Sequence, residues 1–179
     1  MRPIVAGIHT LIQYLKIIEE DPEQLRPAQC PHCGKESPNC HGHYERKADR
    51  EQSGQASLNP IIIFRFYCTA CKKTCSVLPE CIPPRRWYLW SIQQSVLHLI
   101  FFGASHRKAS KQSLPSRQTI SRWCWWLADN FKLFGMHLKS RFSRLGYCHE
   151  LFDFWRSCLS DLKLSYVMLF LNNSGVVVP

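Results

Sequence analysis

Apolar side chains recur at Ile8, Leu11, Ile12, Leu15 and Ile18 near the start of the chain. Steps of three and four residues put them on one helical face, so residues 4–19 predict a helix, closed by Asp21-Pro22. The stretch 61–67, IIIFRFY, is β-branched and aromatic and predicts a strand. Before it, residues 48–60 (ADREQSGQASLNP) are polar and turn-rich and read as a loop between two short strands. Prolines between Pro79 and Pro84 break the chain and open a new unit. From Trp87 to Phe102 the stripe Leu89, Ile92, Val96, Leu99, Ile100 predicts a helix, followed by Gly103. Residues 106–112 suit a short second helix, and Leu114-Pro115-Ser116 a turn. Ser116 to Phe131 predicts a third helix with Ile120, Trp123, Leu127 and Phe131 on its core face. Beyond Leu133 the pattern is mixed: residues 148–162 read as a helix, and Leu164 to Leu171 as a strand or short buried segment. No internal repeat is visible.

Composition narrows the class. Of 179 residues, 45% are apolar and 20% charged, which excludes a disordered tail. The longest apolar runs, Leu99 to Phe102 and Val167 to Leu171, are too short to span a bilayer, so no membrane partner is expected. The first 25 residues lack a long apolar core and a small-residue cleavage site and run into Glu19-Glu20-Asp21. They do not read as a signal peptide, and a cytoplasmic, nucleoid-associated location is expected. Charge is unevenly spread. Residues 1–82 hold 10 Lys and Arg against 9 Asp and Glu, residues 83–145 hold 11 against 1, and residues 146–179 hold 2 against 3. The middle third thus carries the whole net charge of +10. A localised basic field is the footprint of a polyanion binder; the alternative is a solvated basic surface with no partner.

Ten cysteines are many for this length, and seven fall between Cys30 and Cys81. Without a secretion signal, a metal site is favoured over a disulfide scaffold. Cys30-Pro-His-Cys33-Gly and Cys68-Thr-Ala-Cys71-Lys each put two thiolates on one tight turn. Two such knuckles joined by a hairpin complete a tetrahedral site for one structural Zn2+ with no open position for catalysis. The interval between them is long, but the polar loop at 48–60 accounts for the excess, since lengthening a loop costs little. A redox dithiol needs a thioredoxin-like strand–helix context, which this stretch lacks. Cys40, His41 and His43 crowd the first strand as a second site, as alternative ligands or, more simply, as strand positions. His32 is expected to face solvent. Cys75, Cys81, Cys124, Cys148 and Cys158 are expected to pack in apolar surroundings.

The three helices after Pro84 read as a helix-turn-helix unit binding double-stranded DNA. Ser116 caps the third helix. With Ile120 and Trp123 turned inward, Arg117, Gln118, Ser121 and Arg122 face out near its N-terminal end, the end that meets base edges in the major groove. Arg suits guanine and Gln suits adenine. His106, Arg107, Lys108 and Lys111 on the second helix are expected at phosphates. The turn departs from the common pattern, with Gln112-Ser-Leu-Pro115 where a glycine usually stands. A plain helical bundle with a basic face is the alternative.

Cys30-Pro-His-Cys-Gly, the stretch from Phe64 to Pro79 and the Pro84-Arg-Arg-Trp-Tyr tail resemble zinc-ribbon plus helix-turn-helix proteins encoded by bacterial insertion sequences. The resemblance spans roughly residues 28–130. An aromatic residue commonly stands in that family where this chain has Cys75. The resemblance implies DNA binding at transposon ends or at a promoter and adds Arg85 and Arg86 to the DNA-binding set. It also implies a separately encoded transposase catalytic chain as a partner. No catalytic residue is assigned to this chain: Glu150, Asp153 and Asp161 lie too close together, with no strand pattern to present them, and read as solvated helix positions. The expected architecture is α+β: an N-terminal helix (1–27), a zinc ribbon (28–82), a helix-turn-helix unit (83–131) and a C-terminal region without an assigned role (132–179). A transcriptional repressor and a zinc-ribbon module binding RNA or another protein are the alternative functions.

Overall fold

The computed structural model describes residues 4–48, 58–84 and 88–178, and its architecture is α+β. The chain forms two units. Residues up to 89 make the first together with residues 175–178, and residues 90–174 make the second.

In the first unit, β1 (Ile4–Val5) runs parallel to β5 (Leu78–Pro79). Helix α1 covers Leu11–Glu20, so the helix expected over 4–19 begins later. Thr10 sets the start through a capping box: its side chain accepts from the Gln13 amide, and the Gln13 side chain accepts from the Thr10 amide. The Tyr14 hydroxyl, whose proton burial holds more tightly, donates to the Ile62 carbonyl at 2.9 Å. Strands β2 (Asn39–Arg46), β3 (Ile61–Tyr67) and β4 (Thr74–Ser76) form an antiparallel sheet in that order. A bulge between Cys40 and His43 interrupts the β2–β3 register, and Gly42 at φ +83° takes a conformation that a side chain would strain. Ile8, Leu11, Tyr14, Leu25, Ile61, Ile63, Leu78 and Ile82 bury a common core, so α1 and β3 stabilise each other. Cys81 lies in this core and Cys75 in a smaller cluster with Phe66 and Val77, as expected for packing cysteines. Burial pushes the Cys81 thiol up to about 12.

The second unit is helical: α2 (Trp90–Phe101), α3 (His106–Gln112), α4 (Arg117–Asp129), α5 (Phe131–Arg141), α6 (Leu151–Asp161) and α7 (Leu164–Asn173). Helices α2, α3 and α4 pack on one another, and α2 also packs on α6 and α7. The helix expected from Ser116 to Phe131 divides at Asn130, whose side-chain amide donates to the Trp126 carbonyl at 2.9 Å. The segment 164–171, expected as a strand or short buried piece, is helix α7. Leu164, Val167, Met168, Leu169 and Leu171 are all buried, so nearly every side is apolar and no helical period shows. Gln94 joins α2 to the α6–α7 junction, donating to the Leu162 carbonyl at 3.2 Å and accepting from the Leu164 amide at 2.8 Å. Aromatic rings fill the interior, with Trp155 against Phe154 and Phe134. Cys158 is buried and Cys124 and Cys148 are half-buried, so only the first of these three is fully enclosed.

Candidate metal centre and nucleic-acid interface

The two knuckles are built alike. In the first, the Cys30 amide donates to the Lys35 carbonyl at 2.7 Å; in the second, the Cys68 amide donates to the Lys73 carbonyl at 2.9 Å. Each turn is closed by a residue with positive φ four places after the first cysteine. Gly34 takes +75° without strain, and Lys72 takes +56° although it is not a glycine. β2 and β3 carry the knuckles toward each other. The Sγ atoms of Cys30, Cys33, Cys68 and Cys71 then all lie within 4.8 Å of one another. Cys30 to Cys71 is 3.7 Å and Cys33 to Cys68 is 3.6 Å. These are far beyond a disulfide bond. These two distances are close to the edge, about 3.8 Å, of a tetrahedron drawn around a metal at 2.3 Å from each sulfur.

The four sulfurs influence one another's ionisation. The Cys68 thiol is lowered to about 6, first by the backbone amide of Cys71, against the opposing effect of burial, and further by the Ala70 amide. Burial pushes Cys71 up to about 11, and the facing sulfurs of Cys33 and Cys30 add to this. One thiolate therefore forms readily and discourages the next. Four together need a positive ion to offset their repulsion. Four sulfurs fill a tetrahedral shell and leave no position for a substrate, so the centre suits a structural role.

Among the described residues this is the one cluster of three or more candidate ligands. Cys40, His41 and His43 are exposed on β2 and join no such group; the His41 ring lies 5.5 Å from Tyr67 and the His43 ring 6.3 Å from Phe64. His32 is exposed within the first knuckle.

On the helical unit, Ser105 caps α3 and Ser116 caps α4, each accepting from the amide three residues on. Ala109 of α3 and Ile120, Trp123 and Leu127 of α4 are buried, which turns the opposite face of α4 to solvent. Arg117, Gln118 and Arg122 are exposed there, and Arg107, Lys108 and Lys111 are exposed on α3. His106 and Ser121 are half-buried and bonded to each other, Nδ1 to Oγ at 3.1 Å. The geometry uses them to pin α3 on α4, a contact that no spacing rule indicates. Arg85 and Arg86 fall outside the described residues.

Several other charges of this unit are used internally. Arg144 pairs with Asp161, and Arg156 pairs with Asp153 at 3.3 Å while donating to the Phe101 carbonyl. Lys139 lies over the Phe154 ring and Arg141 over the Phe142 ring. Glu150 is exposed at the start of α6. By contrast, Arg107, Lys108, Lys111, Arg117, Arg122 and Lys132 are exposed and, among the described residues, none forms an ion pair.

A family model described as a domain of unknown function, DUF6431, matches residues 30–123. The chain belongs to the DUF6431 family. No curated protein and no solved structure matches it. In this chain the DUF6431 segment opens at the first of the four clustered cysteines and closes at Trp123, the central core residue of α4. It therefore holds all four clustered cysteines, helices α2 and α3, and the exposed first turns of α4. Helices α5 to α7 lie beyond it. Among the described residues, no helix of this DUF6431 protein is long and apolar enough to cross a membrane.

Proposed function

We propose that this protein binds double-stranded DNA through helices α3 and α4, with a ribbon held by one structural Zn2+. The observation that carries the reading is the group of six exposed cations on α3, α4 and the first turn of α5 without a carboxylate partner, beside arginines on α6 and the preceding turn that do have one. Uncompensated charge gathered on these helices costs self-repulsion, which a polyanion relieves. Arg117 and Gln118, at the capped start of α4, have the donors and acceptors for guanine and adenine edges. Lys108 and Lys111 suit phosphates. Zinc is the metal of choice for four thiolates at these spacings.

The reading extends to an association with a transposable element, supported by the resemblance of residues 28–130 to insertion-sequence proteins. The chain would recognise element ends or a promoter and leave strand cleavage to another chain. The test is selection of duplexes from a random pool by the zinc-loaded protein, followed by footprinting on the surrounding genomic DNA. Protection at the inverted ends of a mobile element supports the reading. Protection confined to an unrelated promoter makes the protein a repressor, and preference for single-stranded RNA overturns the duplex reading.

A further inference from the structure

Helix α4 carries a residue whose position the core does not explain. Trp125 is 67% exposed, although tryptophan is the largest apolar side chain the chain has. At about 100° per residue, Gln118, Arg122, Trp125 and Asp129 fall within one narrow stripe of the helix. That stripe lies opposite Ile120, Trp123 and Leu127, which are buried. The indole thus stands on the same line as the two polar side chains assigned to DNA. Its Nε1–H takes no partner among the described residues. Other apolar side chains, Ile12 and Tyr147 among them, are as exposed, so exposure alone does not single Trp125 out; its place in line with Arg122 does, since tryptophan and arginine are the residue types enriched at contact surfaces.

Position along the helix says what it meets. Trp125 lies eight residues after Arg117, roughly 12 Å along the axis. A straight helix with its first turns on base edges leaves the curved major groove after two to three turns, where the sugar–phosphate wall stands. Asp129, one turn further on the stripe, is exposed and acidic, so along this stripe of α4 the approach to phosphate ends between the two.

We propose that Trp125 braces α4 against the rim of the groove, its ring packed on deoxyribose and its Nε1–H donated to a phosphate oxygen. This rests on the DNA reading above and names a positioning residue for it. The contact is sequence-neutral and adds affinity without charge.

The experiment measures binding of the zinc-loaded full chain to a selected duplex by fluorescence anisotropy across a salt series. The variants are Trp125→Ala, Trp125→Phe and Arg122→Ala, each checked for unchanged thermal unfolding. Because Trp125 is exposed, its replacement leaves the core intact. Trp125→Ala is expected to weaken binding about tenfold, the loss of an aromatic anchor and more than that of an average contact residue. The slope of log Kd against log salt should stay that of the parent, since no counterion is involved. Trp125→Phe should recover part of the loss, and Arg122→Ala should lower the slope by about one unit. Parent-like binding by Trp125→Ala overturns the inference while leaving the DNA reading standing. So does a loss that coincides with conversion of a dimer to a monomer in sedimentation, which makes Trp125 a contact between copies. Failure of the folded parent to bind any duplex overturns the DNA reading itself, and the brace with it.

Discussion

Cys33→Ser isolates the metal's contribution to the ribbon. Cys30 and Cys68 are 3% and 2% exposed, so replacing either also disturbs packing. Cys33 is exposed, and at that position the exchange of sulfur for a hydroxyl changes little except the ligand. Serine keeps its proton at neutral pH and is a poor donor to zinc. Structural zinc sites bind with about 10–16 kcal/mol, so one ligand of four accounts for roughly 3–4 kcal/mol, or two to three orders of magnitude in affinity. Binding stabilises the folded state by mass action. Free zinc a thousandfold above Kd adds about 4 kcal/mol, and a thousandfold weaker site retains roughly a tenth of that.

Three measurements read this out: metal content after gel filtration, zinc affinity by chelator competition, and hydrogen exchange. The parent should carry one zinc per chain and Cys33→Ser much less, while Cys148→Ser should keep it. Exchange gives the location. The amides of Cys30 and Cys68, bonded to the Lys35 and Lys73 carbonyls, should lose protection in the variant. The Ile120 amide, bonded to Ser116 within the helical unit, should not. Full zinc occupancy in Cys33→Ser at parental affinity would refute the four-sulfur centre. Unchanged protection of the Cys30 and Cys68 amides after zinc removal would refute its structural role.

Lys108→Ala should weaken binding to all duplexes alike and flatten the salt dependence by about one unit, whereas Arg117→Ala and Gln118→Ala should relax preference at particular base pairs by roughly 1–3 kcal/mol; a panel of single-base variants at several salt concentrations separates the two. Gln94→Leu leaves the Leu162 carbonyl and Leu164 amide without their partner and should cost about 1–3 kcal/mol, seen as a fall in Tm of several degrees with Cys33-site zinc content unchanged. The chain alone, incubated with duplex and magnesium or manganese, should not nick DNA, because Asp153 and Asp161 both lie on helix α6, with no strand framework among the described residues to converge them on a metal; metal-dependent nicking abolished by Asp153→Asn or Asp161→Asn would overturn this.

What could be read from the chain depended on how local its cause is. The strand Ile61–Tyr67 coincides with its β-branched and aromatic run, and α3 with residues 106–112, because side-chain shape and caps act within a few residues. The cysteine cluster was legible for a chemical reason: paired cysteines at a fixed spacing have few other uses, so the partner knuckle could be named across the intervening loop. The start of α1 was local too, since Thr10 and Gln13 form the capping box, but the apolar period extends upstream of it and points to a start several residues too early. The break at Asn130 has neither glycine nor proline to mark it, and α7 is buried on too many sides to show a period. Lys72 in a left-handed conformation is intelligible only beside Gly34, its counterpart in the other knuckle.

The net charge shows the same division between what composition states and what folding decides. Eleven basic residues between 83 and 145 can be counted in the chain, but their use cannot. Asp161 lies outside that stretch and returns to neutralise Arg144, while Lys139 and Arg141 rest on phenylalanine rings. His106 and Ser121, equivalent by spacing to the outward residues around them, are consumed in joining α3 to α4. The fold thereby separates charges that hold the helical unit together from Arg107, Lys108, Lys111, Arg117, Arg122 and Lys132, which among the described residues have no ion-pair partner. A count of basic residues overstates the available field, and its location on α3, α4 and the first turn of α5, not its size, is the argument for a polyanion at that face.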